Sequence, residues 1–433
     1  MSPGMCPPSP CDHLPSLSGY LEEHLPYLVS LYMDLHAHPE LSGQEVRTSG
    51  IIAREMESAG FRVARGIGGH GVVGVLENGD SPVVMIRADM DALPIEEATD
   101  LPYASREKGS TPDGKEVGVM HACGHDLHCT VLAGTAHYLS GIRDRWTGTV
   151  VLVAQPSEEK GSGAQSMIDD GLYTRFPRPD CALAFHVSPE LPAGHVGYRE
   201  GIFTAGAESL DIIVRGIGGH AAHPDRCRDP IVLAAQLVLQ FQTIITREVP
   251  TGEFGLITVA AVHGGTKHNS IPDQVELQVN IRYFKRAVRD LILDSIARVC
   301  EHAAMSAGIP KDRLPVVTLL DESVSPIEND PDLTARITSA LALCVGRDRI
   351  HRMAPLTGSE DFGVFGEVSP PIPLCYLRLG TGSLGEIYLH SPRFSLDPED
   401  STRNGVTAMS LAALASLASR RDQRGQPSPT GGM

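Results

Sequence analysis

Val150-Val151-Leu152-Val153-Ala154-Gln155-Pro156-Ser157-Glu158-Glu159 is an unbroken apolar run that stops on a proline and two adjacent carboxylates. A run of strand length, rich in β-branched residues and without polar alternation, reads as a strand covered on both faces. Such strands belong to largely parallel sheets, where functional side chains sit on the loops beyond the strand C-termini. Adjacent side chains at a strand end point in different directions. One of the two carboxylates can therefore bind a metal ion while the other faces the space in front of it. An isolated Glu-Glu pair is more often a solvated pair on a loop; its place after a buried strand, together with the ligand types around it, argues otherwise.

Working outward, Met120-His121-Ala122-Cys123-Gly124-His125-Asp126 places a thiol and an imidazole two residues apart. Both can reach one ion, with Gly124 keeping the intervening position clear. His186 ends the apolar run Cys181-Ala182-Leu183-Ala184-Phe185, and His390 follows Tyr388-Leu389. Either histidine alone would more often be a satisfied core residue. Asp89 and Asp91, in Arg87-Ala88-Asp89-Met90-Asp91-Ala92-Leu93-Pro94, are ligands or the acceptors that orient ligating imidazoles, and the number of other ligands favours the orienting role. His121, Asp126, His128 and Cys129 read as packing or as the shell behind the ligands. A metal ion beside a second carboxylate suits hydrolysis: the ion brings the pKa of a water toward about 7, and the carboxylate carries its proton to the leaving group.

Around these segments, strands over 61–64, 71–76, 83–86, 147–154 and 181–185 alternate with helices over 20–35, 45–59, 126–140 and 163–168, which is an α/β pattern. From about residue 205 the order becomes strand 210–214, helix 230–246, strands 256–262 and 274–283, and helix 288–307. That order fits a smaller α+β two-layer sandwich inserted into the first domain. Strand 316–319, helix 331–344, strand 374–379 and helix 399–417 then resume the α/β pattern. The expectation is a catalytic domain with a mainly parallel sheet in two parts, 17–204 and 315–420, interrupted by an insert at 205–314, with disordered Pro- and Ser-rich tails at 1–16 and 421–433.

The chain's 433 residues suit two domains, and its net charge of −17 with a pI near 5.5 disfavours a nucleic-acid surface, which needs a basic stripe. The nine cysteines are odd in number and without framework spacing, which fits a reducing compartment better than disulfides. The N-terminus lacks the pattern of a secretory signal, and no apolar run reaches the roughly 18 residues that span a membrane; the expected address is the cytoplasm. Two glycine patterns are decoys. Gly66-Ile67-Gly68-Gly69-His70-Gly71 and Gly216-Ile217-Gly218-Gly219-His220-Ala221 match a dinucleotide fingerprint, but neither opens a helix, whose N-terminus would hold the phosphates.

Taken together, these residues resemble the amidohydrolase branch of the aminoacylase and carboxypeptidase G-like zinc metallopeptidases, which includes hippurate hydrolase and the indoleacetyl-amino-acid hydrolases. The resemblance runs from about Leu31 to Leu417. Besides the segments above it rests on Leu35-His36-Ala37-His38-Pro39-Glu40-Leu41, Gly219-His220-Ala221-Ala222, His268-Asn269-Ser270-Ile271-Pro272-Asp273, Gly358-Ser359-Glu360-Asp361-Phe362 and His390-Ser391-Pro392-Arg393-Phe394. It implies a metallopeptidase-type catalytic domain with the insert as a lid, and two divalent metal ions, zinc or manganese ahead of nickel or cobalt. The ligands it implies are Cys123, His125, Glu159, His186 and His390, with Cys123 bridging and Glu158 as general base. His220 would stabilise the oxyanion, from its own subunit or across a homodimer formed through the lid, and Asn269 and Arg282 would hold the substrate carboxylate or backbone. Leu127, Cys129, the short Gly161-Ser162-Gly163 run and Val279-Asn280 depart from the family pattern; they leave the ligand set intact and bear on specificity. The implied reaction is hydrolysis of an N-acyl amino acid to a carboxylic acid and an amino acid, without nucleic-acid or membrane partners. A dipeptidase or carboxypeptidase with the same site is the nearest rival. A cysteine hydrolase using Cys123 and His125, and a metal-stabilised binding protein, are more distant ones.

Overall fold

The apolar run at 150–154 lies inside Gly148–Gln155, a strand buried along its whole length in a ten-stranded sheet of the computed structural model. Described are residues 9–320, 323–382 and 388–418. Four central strands, Gly148–Gln155, Val83–Asp89, Cys181–Ser188 and Leu374–Gly380, lie side by side in that order and run parallel. Gly71–Asn78 and Arg62–Ile67 extend the sheet antiparallel beyond Gly148–Gln155. This is the mainly parallel α/β sheet expected from continuous apolar runs.

Strand alternation sorts the side chains. Val84, Ile86, Ala88, Leu152, Ala154, Leu183, Phe185, Leu377 and Leu379 join the core formed with helices Leu14–Ala37, His125–Gly141, Pro331–Val345 and Pro398–Leu417. With a period of two, Arg87, Gln155, His186 and Arg378 take the other face. Helix His125–Gly141 is buried nearly all round, as its apolar composition requires. It starts after Gly124, whose φ of 81° and whose absent Cβ, which would lie 2.7 Å from Val187 Cγ2, both demand glycine.

The residues of this sheet fall in one unit, Met1–Phe203 with Ile327–Ala354 and Asp361–Met433, and a second unit takes Thr204–Pro326 and Pro355–Glu360. In the second unit an antiparallel sheet runs in the order Gly255–His263, Gln274–Tyr283, Gly206–Arg215, Val316–Leu319. Val316–Leu319, read above as resuming the first pattern, pairs instead with Gly206–Arg215. A four-residue strand carries no mark of the sheet it joins. Helices Pro230–Arg247 and Arg286–Ser306 cover this sheet, burying Leu233, Leu237, Phe241, Ile244, Ile292 and Ile296. Pro230–Arg247 is 18 residues long with a mean hydropathy of 1.2, enough by length and composition to cross a membrane, contrary to the expectation above. Leu233, Leu237, Phe241 and Ile244 face the sheet, while Ile231, Val232 and Leu239 are exposed.

Two further expectations are corrected. Residues 9–16 are ordered rather than a disordered tail. Ser9 and Asp12 form a reciprocal cap, Pro10 occupies a first-turn position where its missing N–H is harmless, and Leu17 is buried. The tail at 421–433 lies outside the described residues. Cys11 and Cys344 form a disulfide with Cα atoms 5.0 Å apart, tying this N-terminal turn to Pro331–Val345 across 333 residues, a pairing that sequence spacing does not reveal. Six other cysteines are free and buried among the described residues.

Candidate metal centre

The loop after Gly148–Gln155 is held by two buried carboxylates. Ser157 N–H donates to Glu45 Oε1 at 2.9 Å, Glu158 N–H to Asp91 Oδ1 at 3.1 Å and Glu159 N–H to Asp91 Oδ2 at 3.0 Å. Gly43 N–H donates to the same Glu45 oxygen at 2.8 Å, and Ser42 Oγ–H to Asp91 Oδ2 at 2.6 Å. Three consecutive backbone donors are thereby fixed, and the two glutamates point where the turn sends them. Ser157, with φ 54°, and His390, with φ 63°, are the non-glycine residues in the left-handed region among those described, and both border this site. Such conformations persist where surrounding structure imposes them.

The imidazoles are aimed in the same way. His125 Nδ1–H donates to the Asp91 carbonyl at 2.8 Å and His186 Nδ1–H to the Val187 carbonyl at 2.8 Å, so each turns an Nε2 lone pair inward. His128 is saturated, donating from Nδ1 to Asp89 at 2.5 Å and accepting Val187 N–H at Nε2, which leaves it behind the site. Cys123 Sγ lies 3.2 Å from His186 Nε2 and 3.3 Å from His390 Nε2. Glu159 lies 3.7 Å from His390 Nε2 and 3.9 Å from His125 Nε2, and Glu158 4.0 Å from His125 Nε2. Cys123 belongs to two three-ligand groups, one with His125 and His186 and one with Glu159 and His390, each with ligand atoms within 4.8 Å of one another. All six residues selected in this unit from the sequence therefore meet at one place.

Their electrostatics ask for a cation. Burial first, then the Glu159 and Glu158 carboxylates, pushes the Cys123 thiol well above its usual range. Burial also raises Glu159 to about 7, with His125 opposing and Asp91 adding to the shift. Burial favours neutral His125, but Asp89, Asp91 and Glu159 carry it to about 10. His125 Nε2 and Glu159 Oε1 are buried without a hydrogen-bond partner. Thiol, imidazole and carboxylate donors crowded around unpaired electron pairs fit divalent ions of the zinc and manganese kind, whose charge reverses these local preferences.

Behind the cluster, His36 Nδ1–H donates to Asp126 Oδ2 at 2.7 Å and Nε2–H to Glu97 Oε1 at 3.2 Å. Asp126 was read from the sequence as part of the shell behind the ligands, whereas neither Glu97 nor Glu45 stands out there. The cadence of acids and histidines from His36 to Glu45 was the available signal.

In the second unit, His220 and Asn269 come together on a short ribbon. His220 pairs with Ser270, and Ala221 N–H donates to the Asn269 carbonyl at 3.1 Å. His220 Nδ1 accepts Ala222 N–H at 3.1 Å, which puts its proton on Nε2 as a donor. Arg282 lies on Gln274–Tyr283, half-buried, with Nε–H donating to Asn280 Oδ1 at 2.8 Å and Nη1–H to Ser359 Oγ at 2.6 Å. The Gly66–Gly71 pattern is the turn between two antiparallel strands, Arg62–Ile67 and Gly71–Asn78.

Residues 85–415 match the model of peptidase family M20/M25/M40. The chain is 32% identical over 395 residues to an N-acetylcysteine deacetylase of Bacillus subtilis, covering 90% of this chain and 96% of that one. It is also 32% identical over 411 residues to thermostable carboxypeptidase 1 of Saccharolobus solfataricus, covering 93% and 98%. Among solved structures it resembles a dinuclear metal binding peptidase of the M20 family from Bacillus subtilis, with a TM-score of 0.76 and 29% identity over 92% of this chain and 99% of that one. By the extent of these matches, and with a site built as described, the chain belongs to peptidase family M20/M25/M40.

Proposed function

We propose that this chain hydrolyses N-acyl amino acids to a carboxylic acid and a free amino acid. It is a metal-dependent hydrolase of amide bonds, as its family and relatives such as the N-acetylcysteine deacetylase support. The observation that carries the reading is a second carboxylate, Glu158, set beside the donor cluster on the same anchored turn as Glu159. Cys123, His125, Glu159, His186 and His390 would hold two divalent ions, with zinc or manganese favoured and nickel or cobalt also suited to the donors. When bound, the ions polarise the scissile carbonyl and activate a water. Glu158 takes the proton from the attacking water and delivers it to the amine nitrogen as the amide bond breaks. His220 donates its Nε2–H to the developing oxyanion. Arg282 and Asn269 hold the substrate carboxylate or backbone, Arg282 through a guanidinium fork suited to a carboxylate. We further infer that it assembles as a homodimer through the second unit, where Ile231, Val232 and Leu239 are exposed.

The test is hydrolysis of acetyl, benzoyl and longer-chain acyl amino acids by protein stripped of metal and reconstituted with zinc, manganese, cobalt or nickel. Metal-restored cleavage is expected. The carboxypeptidase relative favours a second reading, and cleavage of dipeptides with silence on the acyl panel would install it.

A further inference from the structure

The unsatisfied polar atoms at the ends of the central strands are of two opposite kinds. His125 Nε2 and Glu159 Oε1 are electron-pair donors, and cations answer them. Arg378 is the reverse. It sits on Leu374–Gly380, only 8% exposed, with its Nε–H buried and without an acceptor. No hydrogen bond or ion pair of its guanidinium occurs among the described residues. Arg87, on the same sheet face two strands away, shows what a satisfied counterpart looks like: it donates to Gln155 Oε1, Asp89 Oδ2 and Asp361 Oδ1. An arginine cannot shed its charge. A buried guanidinium N–H that finds no acceptor among the described residues is costly, so Arg378 Nε is a group that a ligand can complete.

Its place indicates the ligand. Arg378 is in register with His186 on the adjacent parallel strand, with the two backbones about 4.8 Å apart and both side chains on one face. An anion beside a cluster of bound cations, on an enzyme of N-acyl amino acids, is a carboxylate. The guanidinium fork matches that group in shape and charge.

We propose that Arg378 is a substrate-binding residue that holds a carboxylate of the substrate beside the metal centre. The proposal rests on the N-acyl amino acid reading. Two carboxylates are candidates: the α-carboxylate of the amino acid, and a second one carried by an acidic side chain or a dicarboxylic acyl group.

The metal-reconstituted wild type, Arg378→Gln and Arg378→Lys are assayed with N-acetylalanine, its α-carboxamide, N-acetylglutamate and N-succinylalanine, after circular dichroism has matched their folds. Arg378→Gln should raise KM at least about tenfold for every substrate carrying the bound carboxylate, with kcat nearly unchanged and Arg378→Lys intermediate. A rise for all three acids and none for the carboxamide assigns the α-carboxylate. A rise confined to N-acetylglutamate or N-succinylalanine assigns the second one. Calorimetric titration of the same proteins with glutarate gives a readout free of turnover, in which Arg378→Gln should weaken binding by at least about tenfold. If no protein cleaves any substrate, the reaction reading fails and the glutarate titration alone decides Arg378. Equal glutarate affinities, or a KM change shared by the carboxamide, would overturn the proposal.

Discussion

Replacing Glu45 by alanine removes the acceptor of two N–H groups, those of Gly43 and Ser157. A buried donor left without an acceptor costs about 1–3 kcal/mol, so the turn carrying Glu158, held to Glu45 through Ser157 N–H, loses about 1–3 kcal/mol of anchoring. Ser157, at φ 54°, holds a conformation worth about 1–3 kcal/mol of strain, and it relaxes once released. Glu158 moves with it. Each 1.4 kcal/mol transferred to the barrier is about tenfold in rate, so kcat should fall by about five- to a hundredfold. Metal content, measured by elemental analysis, should persist, because Cys123, His125, His186 and His390 are held by other segments. Glu45→Gln is the decisive companion. Its amide oxygen can accept both N–H groups that Glu45→Ala leaves without an acceptor. Burial, followed by the charge of Asp91, already raises the Glu45 pKa, so a neutral isostere is a mild change. Glu45→Gln should work within a few-fold of wild type. Full kcat in Glu45→Ala, or equal damage in both variants, would refute the anchoring argument.

Other expectations follow from the same geometry. Glu158→Ala should keep its metal and lose turnover by orders of magnitude; retained activity would reject Glu158 as the base. Cobalt-loaded protein should show a sulfur-to-metal charge-transfer absorption that Cys123→Ser abolishes, and its absence from the wild type would remove Cys123 from the ligands. At His36, burial opposes the charge, but donation to Asp126 and Glu97 carries the pKa to about 9. Because that value lies above the roughly 6.5 of an unfolded histidine, the contribution is complete below pH 6.5 and is lost as pH rises through 9. The urea midpoint of the wild type should fall between pH 7 and 10 more than that of His36→Asn, and identical pH profiles would contradict this. Reducing Cys11–Cys344, or making Cys344→Ser, should remove about 2–4 kcal/mol and lower the melting temperature; an unchanged temperature would show the bond idle.

The sequence made the central sheet legible because a strand covered on both faces must be apolar throughout, as Gly148–Gln155 is. The candidate donors were legible because few residue types bind metals: Glu159 and His186 lie near strand ends, Cys123 and His125 at the start of helix His125–Gly141, and His390 in a loop. Val316–Leu319 was not legible, since its partner strand lies about a hundred residues away and antiparallel pairing leaves no local trace. Nor was the ordered N-terminus, where prolines that usually mark loops fill first-turn helix positions.

What stayed hidden at the site itself shares one property. Glu45, His36 and Arg378 have ordinary side chains whose meaning lies in their partners, or in lacking one. His125 and His186 would present the wrong nitrogen if the carbonyls of Asp91 and Val187 did not take their Nδ1–H groups. A carboxylate at position 158 would be only a surface acid without Asp91 beneath its amide. The donor set states which ion chemistry is available, whereas the acceptors behind it determine whether the donors converge. Substitutions in that supporting layer should therefore separate metal content from turnover, which substitutions of the donors cannot do.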